Sequence, residues 1–230
     1  AEGEDENMLK AAIEFGKNKL GIPILIGAEK RIKEQLNNIG LDENYKIEIV
    51  NSTNKEKREK YVKHLYKRLQ REGQLERDVD RLVRNDRIAW GASMIACNDA
   101  DAMVTGNIRH YAASIEKLKR VTDPRPGEEI FGMTMITLKG KTILVADTNV
   151  QDFPSPERLV KVSKSCVRVA RLFGFDPKVA FLSHSTFGKP ISKNTKHVRD
   201  AIDLLKKEKV DFDFDGEMQP DVALNPIYQE

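Results

Sequence analysis

Apolar positions along this chain alternate between helical and strand spacing, and their order predicts a sheet with crossover helices. Over residues 8–20, Met8, Leu9, Ala12, Ile13 and Phe15 recur at helical spacing, ending near Gly16 or Gly21. Residues 21–27 read as a short buried strand, and a helix over 29–38 and a second strand over 47–50 follow. Strand, helix and strand in that order argue for an α/β sheet. Residues 54–71 predict a long helix with Tyr61, Leu65 and Leu69 on one face. A helix over 75–97, a strand over 101–106 that leads into Gly106, and a helix over 107–120 complete this half.

The punctuation changes at Thr122-Asp-Pro-Arg-Pro-Gly-Glu128, where Pro and Gly concentrate, and a domain boundary is expected there, giving lobes of 1–122 and 123–230. Beyond it, 130–138 and 142–146 flank Lys139-Gly140-Lys141, a hairpin signal in which glycine supplies the turn. Residues 155–173 predict a helix with Pro156 in its first turn and Gly174 at its end. Residues 179–182 read as a buried strand, and 194–207 as a helix capped by Asn194 and Thr195. Phe212 and Phe214 mark a further buried strand, with Asp215, Gly216 and Glu217 expected at its carboxyl end.

Composition narrows the function classes. The chain has 230 residues, 40% hydrophobic and 33% charged, enough for a core in one large domain or two small ones. Its 39 basic and 36 acidic side chains nearly cancel, which argues against nucleic acid as a partner. Eight basic residues surround the helix over 54–71, and a solvated face accounts for them; Arg68 and Arg71, near Gly73, are the two that suit an anion. No apolar run approaches the roughly 20 residues of a membrane helix, so no membrane association is expected. Cys97 and Cys166 are the only cysteines, without disulfide or metal spacing, which fits a reducing cytoplasm.

Candidate chemistry gathers where strands end, since ligands of open α/β sheets settle beyond the carboxyl ends of the strands. After Leu182 the chain offers Ser183, Ser185, Thr186 and Gly188, short hydroxyls and permissive backbone suited to an anionic oxygen. Ser183-His184-Ser185 invites a nucleophile reading, but neighbours in a strand point to opposite faces, and no Gly-x-Ser-x-Gly elbow is present. Asp215, Glu217 and Asp221 could hold a divalent cation, yet hydrogen bonding to amides and to a basic partner is the simpler expectation. His64, His110 and His197 lie on separate helices, so a zinc site is not expected. At Thr105-Gly106-Asn107-Ile108-Arg109, a strand-to-helix junction, backbone amides and the Arg109 fork suit an anion.

Taken in order, several segments resemble the phosphate acetyltransferase and butyryltransferase family: Ala1-Glu-Gly-Glu-Asp5, Asp99-Ala-Asp-Ala-Met-Val-Thr-Gly106, Pro124-Arg-Pro-Gly127, Val145-Ala-Asp-Thr148, Ala180-Phe-Leu-Ser-His-Ser-Thr186 and Phe214-Asp-Gly-Glu-Met-Gln-Pro-Asp221. Within it, Leu65-Tyr-Lys-Arg-Leu-Gln-Arg-Glu-Gly73, Gly106-Asn-Ile-Arg-His-Tyr111, Asp123-Pro-Arg-Pro-Gly-Glu128 and Ser185-Thr-Phe-Gly-Lys-Pro190 are most similar to the acetyltransferase-like carboxyl-terminal domain of bacterial NADP-dependent malic enzymes.

The resemblance implies a two-lobed α/β/α sandwich with the phosphate acetyltransferase fold, akin to isocitrate and isopropylmalate dehydrogenases, and acyl-CoA or acetyl phosphate bound between the lobes. Ser183, Ser185, Thr186, Gly188, Arg109 and Arg125 would contact the ligand, with Gly106, Asp147, Asp215, Gly216 and Glu217 supporting the cleft. Where the transferases carry a phosphate arginine ten positions after the strand-end glycine, this chain has Glu116, and Arg68 or Arg71 only partly matches a second arginine. The chain also stops before the family's late Ser-Arg pair and acid. That implies a fold incomplete at its carboxyl end and a piece of a longer polypeptide.

Three functions compete. The first is an acetyl-CoA-binding regulatory and oligomerisation module beside an upstream malic enzyme domain, itself not catalytic, with NADP and a divalent cation held by that absent domain and no cofactor here. The others are an active phosphate acetyltransferase and a pure oligomerisation scaffold.

Overall fold

The computed structural model describes residues 1–39, 46–147, 150, 153–187 and 193–228. Residues Ala1–Asp123 and Pro124–Glu230 form two compact units.

In the first unit, β1 (Ile24–Ile26) and β2 (Glu48–Val50) pair in parallel, and α1 (Glu6–Lys17) and α2 (Glu29–Ile39) precede and follow β1. Side-chain alternation makes this small sheet a partition. Leu25 joins Leu9, Ile13, Ile32 and Leu36 on one side, and Ile26 packs with the core of the remaining helices on the other. That second core is built by α3 (Lys55–Leu69), α4 (Glu76–Asn85), α5 (Arg87–Ala96) and α6 (Tyr111–Val121). At its centre Tyr61 meets Trp90 edge to face at 5.0 Å, and the Tyr61 hydroxyl donates to Asp99 Oδ2 at 2.7 Å. Burial and the neighbouring carboxylate push this phenol well above its ordinary pKa.

Several boundaries differ from those the pattern predicts. The helix expected over 75–97 is two helices, broken at Asp86. This residue leaves the helical conformation at φ −116° and ψ 113°, and its carboxylate accepts from the N–H groups of Ile88 and Ala89 to cap α5. Burial works to raise the Asp86 pKa, but Lys117 and the two capping amides outweigh it and hold the carboxyl below its ordinary value. The strand expected over 101–106 makes no ladder among the described residues. It is fixed by other means: the Ala1 nitrogen donates to the Val104 carbonyl at 2.7 Å, and Glu2 holds the following loop.

The second unit contains the hairpin of β3 (Met133–Leu138) and β4 (Lys141–Ala146), closed by Lys139 and Gly140, both with positive φ. A two-residue turn of that hand matches the twist of the strands. The unit continues with α7 (Pro156–Leu172), whose N-cap Ser155 accepts from the Arg158 N–H, then β5 (Val179–Leu182), α8 (Lys193–Glu208), β6 (Phe214–Met218) and α9 (Pro220–Leu224). Because α8 begins at Lys193, Asn194 and Thr195 lie inside its first turn and not at the cap. β5 and β6 pair in parallel, and Phe181, Val198, Ala201, Ile202 and Leu205 form the core between them and the helices. No helix among the described residues is long and apolar enough to cross a membrane.

Candidate functional site

The carboxyl ends of β5 and β6 open on the same side because the strands are parallel, and there the chain departs from regular pairing. Phe181 faces Gly216 and Leu182 faces Met218, so Glu217 is an extra residue on β6. Asp215, Gly216 and Glu217, expected at the carboxyl end of the strand, are within it, and the strand runs on to Met218. A bulge of this kind re-aims a side chain. Only glycine fits its entry: Gly216 has φ 143°, and a Cβ there would stand 2.6 Å from the Phe181 carbonyl oxygen.

The re-aimed side chain, Glu217, is fully buried. Its Oε1 accepts from Ser185 Oγ at 2.8 Å and from Arg199 Nη1 of α8 at 3.0 Å. A buried carboxylate demands such partners, because desolvating its charge costs several kcal/mol. Oε2, also buried, has no hydrogen-bond partner among the described residues. Hydrogen bonds lace the two exits together: Ser183 N–H donates to the Met218 carbonyl, Phe187 N–H to the Glu217 carbonyl, and the Gln219 side chain, through Nε2, to the His184 carbonyl at 2.8 Å.

Sequence reasoning placed Ser183, Ser185 and Thr186 together, and the structure does bring them to one loop with separate tasks. Ser185 is buried and spends its hydrogen on Glu217. Ser183 Oγ accepts from the Ser185 N–H at 3.0 Å, and Thr186 Oγ1 accepts from the Gln219 N–H at 3.3 Å. Both hydroxyls are half-buried. As an acceptor in its bond Thr186 keeps an O–H to give, which suits an anionic or carbonyl oxygen, whereas Ser183, beside a Ser185 that has given its hydrogen to Glu217, is placed to donate to Ser185 Oγ. The two serine hydroxyls lie 3.3 Å apart just beyond the end of β5, while His184 between them is exposed. Gly188 lies outside the described residues. Asp215 is exposed and accepts from the Gly216 N–H at 2.8 Å. Among the described residues no three of His, Cys, Asp or Glu stand where they could hold a metal ion.

The remaining candidates stand elsewhere. Asp147 is buried and paired with Arg158 of α7 at 2.9 Å, and Arg158 also reaches Glu129 and the Ile130 carbonyl. It ties the base of the hairpin to α7. Arg125 is exposed in a turn of the same unit. Arg109 belongs to the first unit, in the loop after Gly106, where an anion seat is occupied from within. The buried carboxylate of Glu2 accepts from the N–H groups of Gly106, Asn107 and Ile108 at 3.2, 2.9 and 3.4 Å. These amides therefore hold the chain's own carboxylate.

The arginines that the resemblance compares with phosphate ligands are also accounted for. Arg68 donates through Nε and Nη2 to the carbonyls of Arg120 and Lys119, closing the end of α6, and pairs with Asp123. Arg71 is exposed beyond α3, and Glu116 is exposed on α6. Sequence reasoning missed Glu2, Arg158 and Arg199. Their partners are distant in sequence, and only the acidic run that contains Glu2 carried any signal.

The model of the phosphate acetyl/butaryl transferase family matches residues 1–230. Among curated relatives, the NADP-dependent malic enzyme of Rhizobium meliloti is 42% identical over all of this chain and 30% of its own length. A phosphate acetyltransferase of Nitratidesulfovibrio vulgaris is 28% identical over 97% of this chain and 32% of its own. The chain thus spans about a third or less of these relatives. Among solved structures, a phosphotransacetylase from Streptococcus pyogenes shares the fold with a TM-score of 0.85 at 24% identity, over 99% of this chain and 69% of that one. The EutD phosphotransacetylase from Staphylococcus aureus follows at 0.79 and 25%, over 99% and 70%. With two α/β units, a full-length family match and relatives that run the length of the chain, this protein belongs to the phosphate acetyl/butaryl transferase family.

Proposed function

We propose that the chain is a regulatory and assembly module of an NADP-dependent malic enzyme, and that it binds acetyl-CoA or a related acyl-CoA without transferring the acyl group. The observation that carries this reading is the fate of the cations. Arg68 is committed to the end of α6 and to Asp123, and Glu116 stands exposed where the resemblance asks for a phosphate arginine. Transfer between coenzyme A and phosphate relies on positioning and on positive charge around the phosphoryl group. Binding requires less: the Thr186 hydroxyl, beside Ser183, can donate to a phosphate or thioester oxygen, with Arg125 and Arg109 as candidate anion partners. Regulation follows if the acyl-CoA binds two states of the assembly unequally. NADP and a divalent cation belong, in this reading, to the malic enzyme portion.

Calorimetry on the full-length protein tests it. Acetyl-CoA should bind, and Ser183→Ala with Thr186→Val should weaken binding by roughly tenfold, the effect of about one lost charge-assisted hydrogen bond. No binding, or binding indifferent to these changes and to Arg109→Ala, would sink the assignment.

The family match and the likeness to a named phosphate acetyltransferase favour a second reading, an active transferase. The coenzyme A thiolate would attack the carbonyl carbon of acetyl phosphate, the C–O bond to the phosphoryl group would break, and inorganic phosphate would leave with the electron pair. Acetyl-CoA formation from acetyl phosphate at an ordinary enzymatic rate would put this reading first.

A further inference from the structure

The hydrogens at the β5–β6 exit all run one way. Arg199 Nη1 stands 3.0 Å from Glu217 Oε1 and holds it as a carboxylate, which can only accept. Ser185 Oγ, buried and 2.8 Å from the same oxygen, therefore gives it its single hydrogen. Toward Ser183 Oγ, 3.3 Å away, Ser185 Oγ then turns a lone pair, so the hydrogen between the two serines comes from Ser183. The backbone holds Ser183 as well, since its Oγ accepts from the Ser185 N–H at 3.0 Å.

Little of Ser183 remains. A hydroxyl has one hydrogen and two lone pairs, and the hydrogen and one pair are used within the loop. The residue is half-buried, and what it can show a ligand is the other lone pair. Hydroxyls in a chain that ends on a charge polarise one another, so the buried carboxylate makes this oxygen a stronger acceptor and a poorer neighbour for an anion. Thr186 is the opposite case: its Oγ1 accepts from the Gln219 N–H and, among the described residues, its hydrogen is uncommitted. The loop thus presents one acceptor and one donor.

We infer that Glu217 is a positioning residue for ligand specificity, acting through Ser185: it fixes Ser183 as an acceptor, so that Ser183 meets an N–H of the ligand and not a phosphate or carbonyl oxygen. A secondary amide carries both halves of the match, an N–H for Ser183 and a carbonyl oxygen for Thr186. Acyl-CoA, the ligand of the reading above on which this rests, has two such amides in its pantetheine arm. That arm, ahead of the phosphates and the thioester, is the part this loop recognises.

Calorimetry on the full-length protein tests it, with acetyl-CoA and two analogues that each replace one pantetheine amide by an ester. The swap deletes an N–H and weakens the adjoining carbonyl; the second effect is common to every protein compared, and a double-mutant cycle cancels it. One analogue should bind the wild type about fourfold more weakly than acetyl-CoA, the effect of one neutral hydrogen bond. Ser183→Ala should lose about fourfold toward acetyl-CoA and treat the two ligands alike. In Ser185→Ala, Ser183 regains a free hydrogen, and the preference for the amide should fall below about twofold although Ser183 is untouched. A serine needed only for structure would leave that ratio in place. If Ser185→Ala does not fold, the Ser183 cycle decides alone. Equal binding of all three ligands by the wild type, a preference retained in Ser183→Ala, or the full ratio kept by a folded Ser185→Ala overturns the inference and leaves acyl-CoA binding standing. No binding of acetyl-CoA removes that reading, and this one with it.

Discussion

The pair of Glu217 and Arg199 allows the most demanding test of how the two strand ends are held. In Arg199→Ala the fully buried carboxylate keeps the Ser185 hydroxyl and loses its counter-charge. Breaking a buried ion pair from one side costs about 3–5 kcal/mol, because the remaining charge is stranded. The Arg199 side chain is 35% exposed, so water partly replaces it, and the expected loss is about 2–3 kcal/mol. At roughly 4 °C per kcal/mol for a unit of this size, the melting temperature of the second unit should fall by about 8–12 °C. Glu217→Gln removes the charge and retains an acceptor, at about 1–2 kcal/mol. The double variant should then cost less than the sum by about 1–2 kcal/mol, since removing the arginine no longer strands a charge. Urea unfolding followed by circular dichroism, with the slope checked for constancy, supplies all four corners of the cycle. If Arg199→Ala costs under about 0.5 kcal/mol, or if the two changes simply add, Glu217 is not held as an ion and this account of the bulge fails.

Three further outcomes follow from contacts described above. Gly216→Ala should destabilise the chain by roughly 2–4 kcal/mol, since it adds a Cβ 2.6 Å from a carbonyl oxygen at a φ that favours glycine, and an unchanged melting temperature would contradict the close approach. Asp86 titrates below its ordinary value when folded, so its contribution to stability is present above about pH 4 and lost as pH falls toward the folded pKa; acid unfolding of Asp86→Asn should show a correspondingly weaker dependence below that point. Partial burial pushes the Cys166 thiol up to about 11, so iodoacetamide at pH 8 should label it far more slowly in the folded chain than in urea; equal rates in the two would contradict the raised thiol.

How far the sequence could be read depended on whether the cause of each feature was local. The hairpin turn was legible because Gly140 permits positive φ and lies between two runs that pair as strands. Helices α1, α2 and α7 followed from apolar spacing and caps, within the few residues by which helix ends ordinarily vary. Asp86 was misjudged because the apolar rhythm continues through it, and a cap in mid-pattern needs only one side chain to turn back. The extended run over 101–106 failed as a strand because a strand needs a neighbour, and propensity says nothing about one. At the site, hydroxyls and glycine could be found from composition. Their division of labour could not, because Ser185 acquires its role from Glu217, 32 positions away.

Glu2 and the amides of Gly106 to Ile108 join points 104 positions apart in the chain, and that separation has a kinetic meaning. Closing a loop of this length costs roughly 4 kcal/mol of chain entropy before any bond returns it. During synthesis Glu2 leaves the ribosome well before residues 106–108 and must wait for them before its carboxylate finds these amides. Glu2 is thus among the last residues of the first unit able to lock, however early it is made.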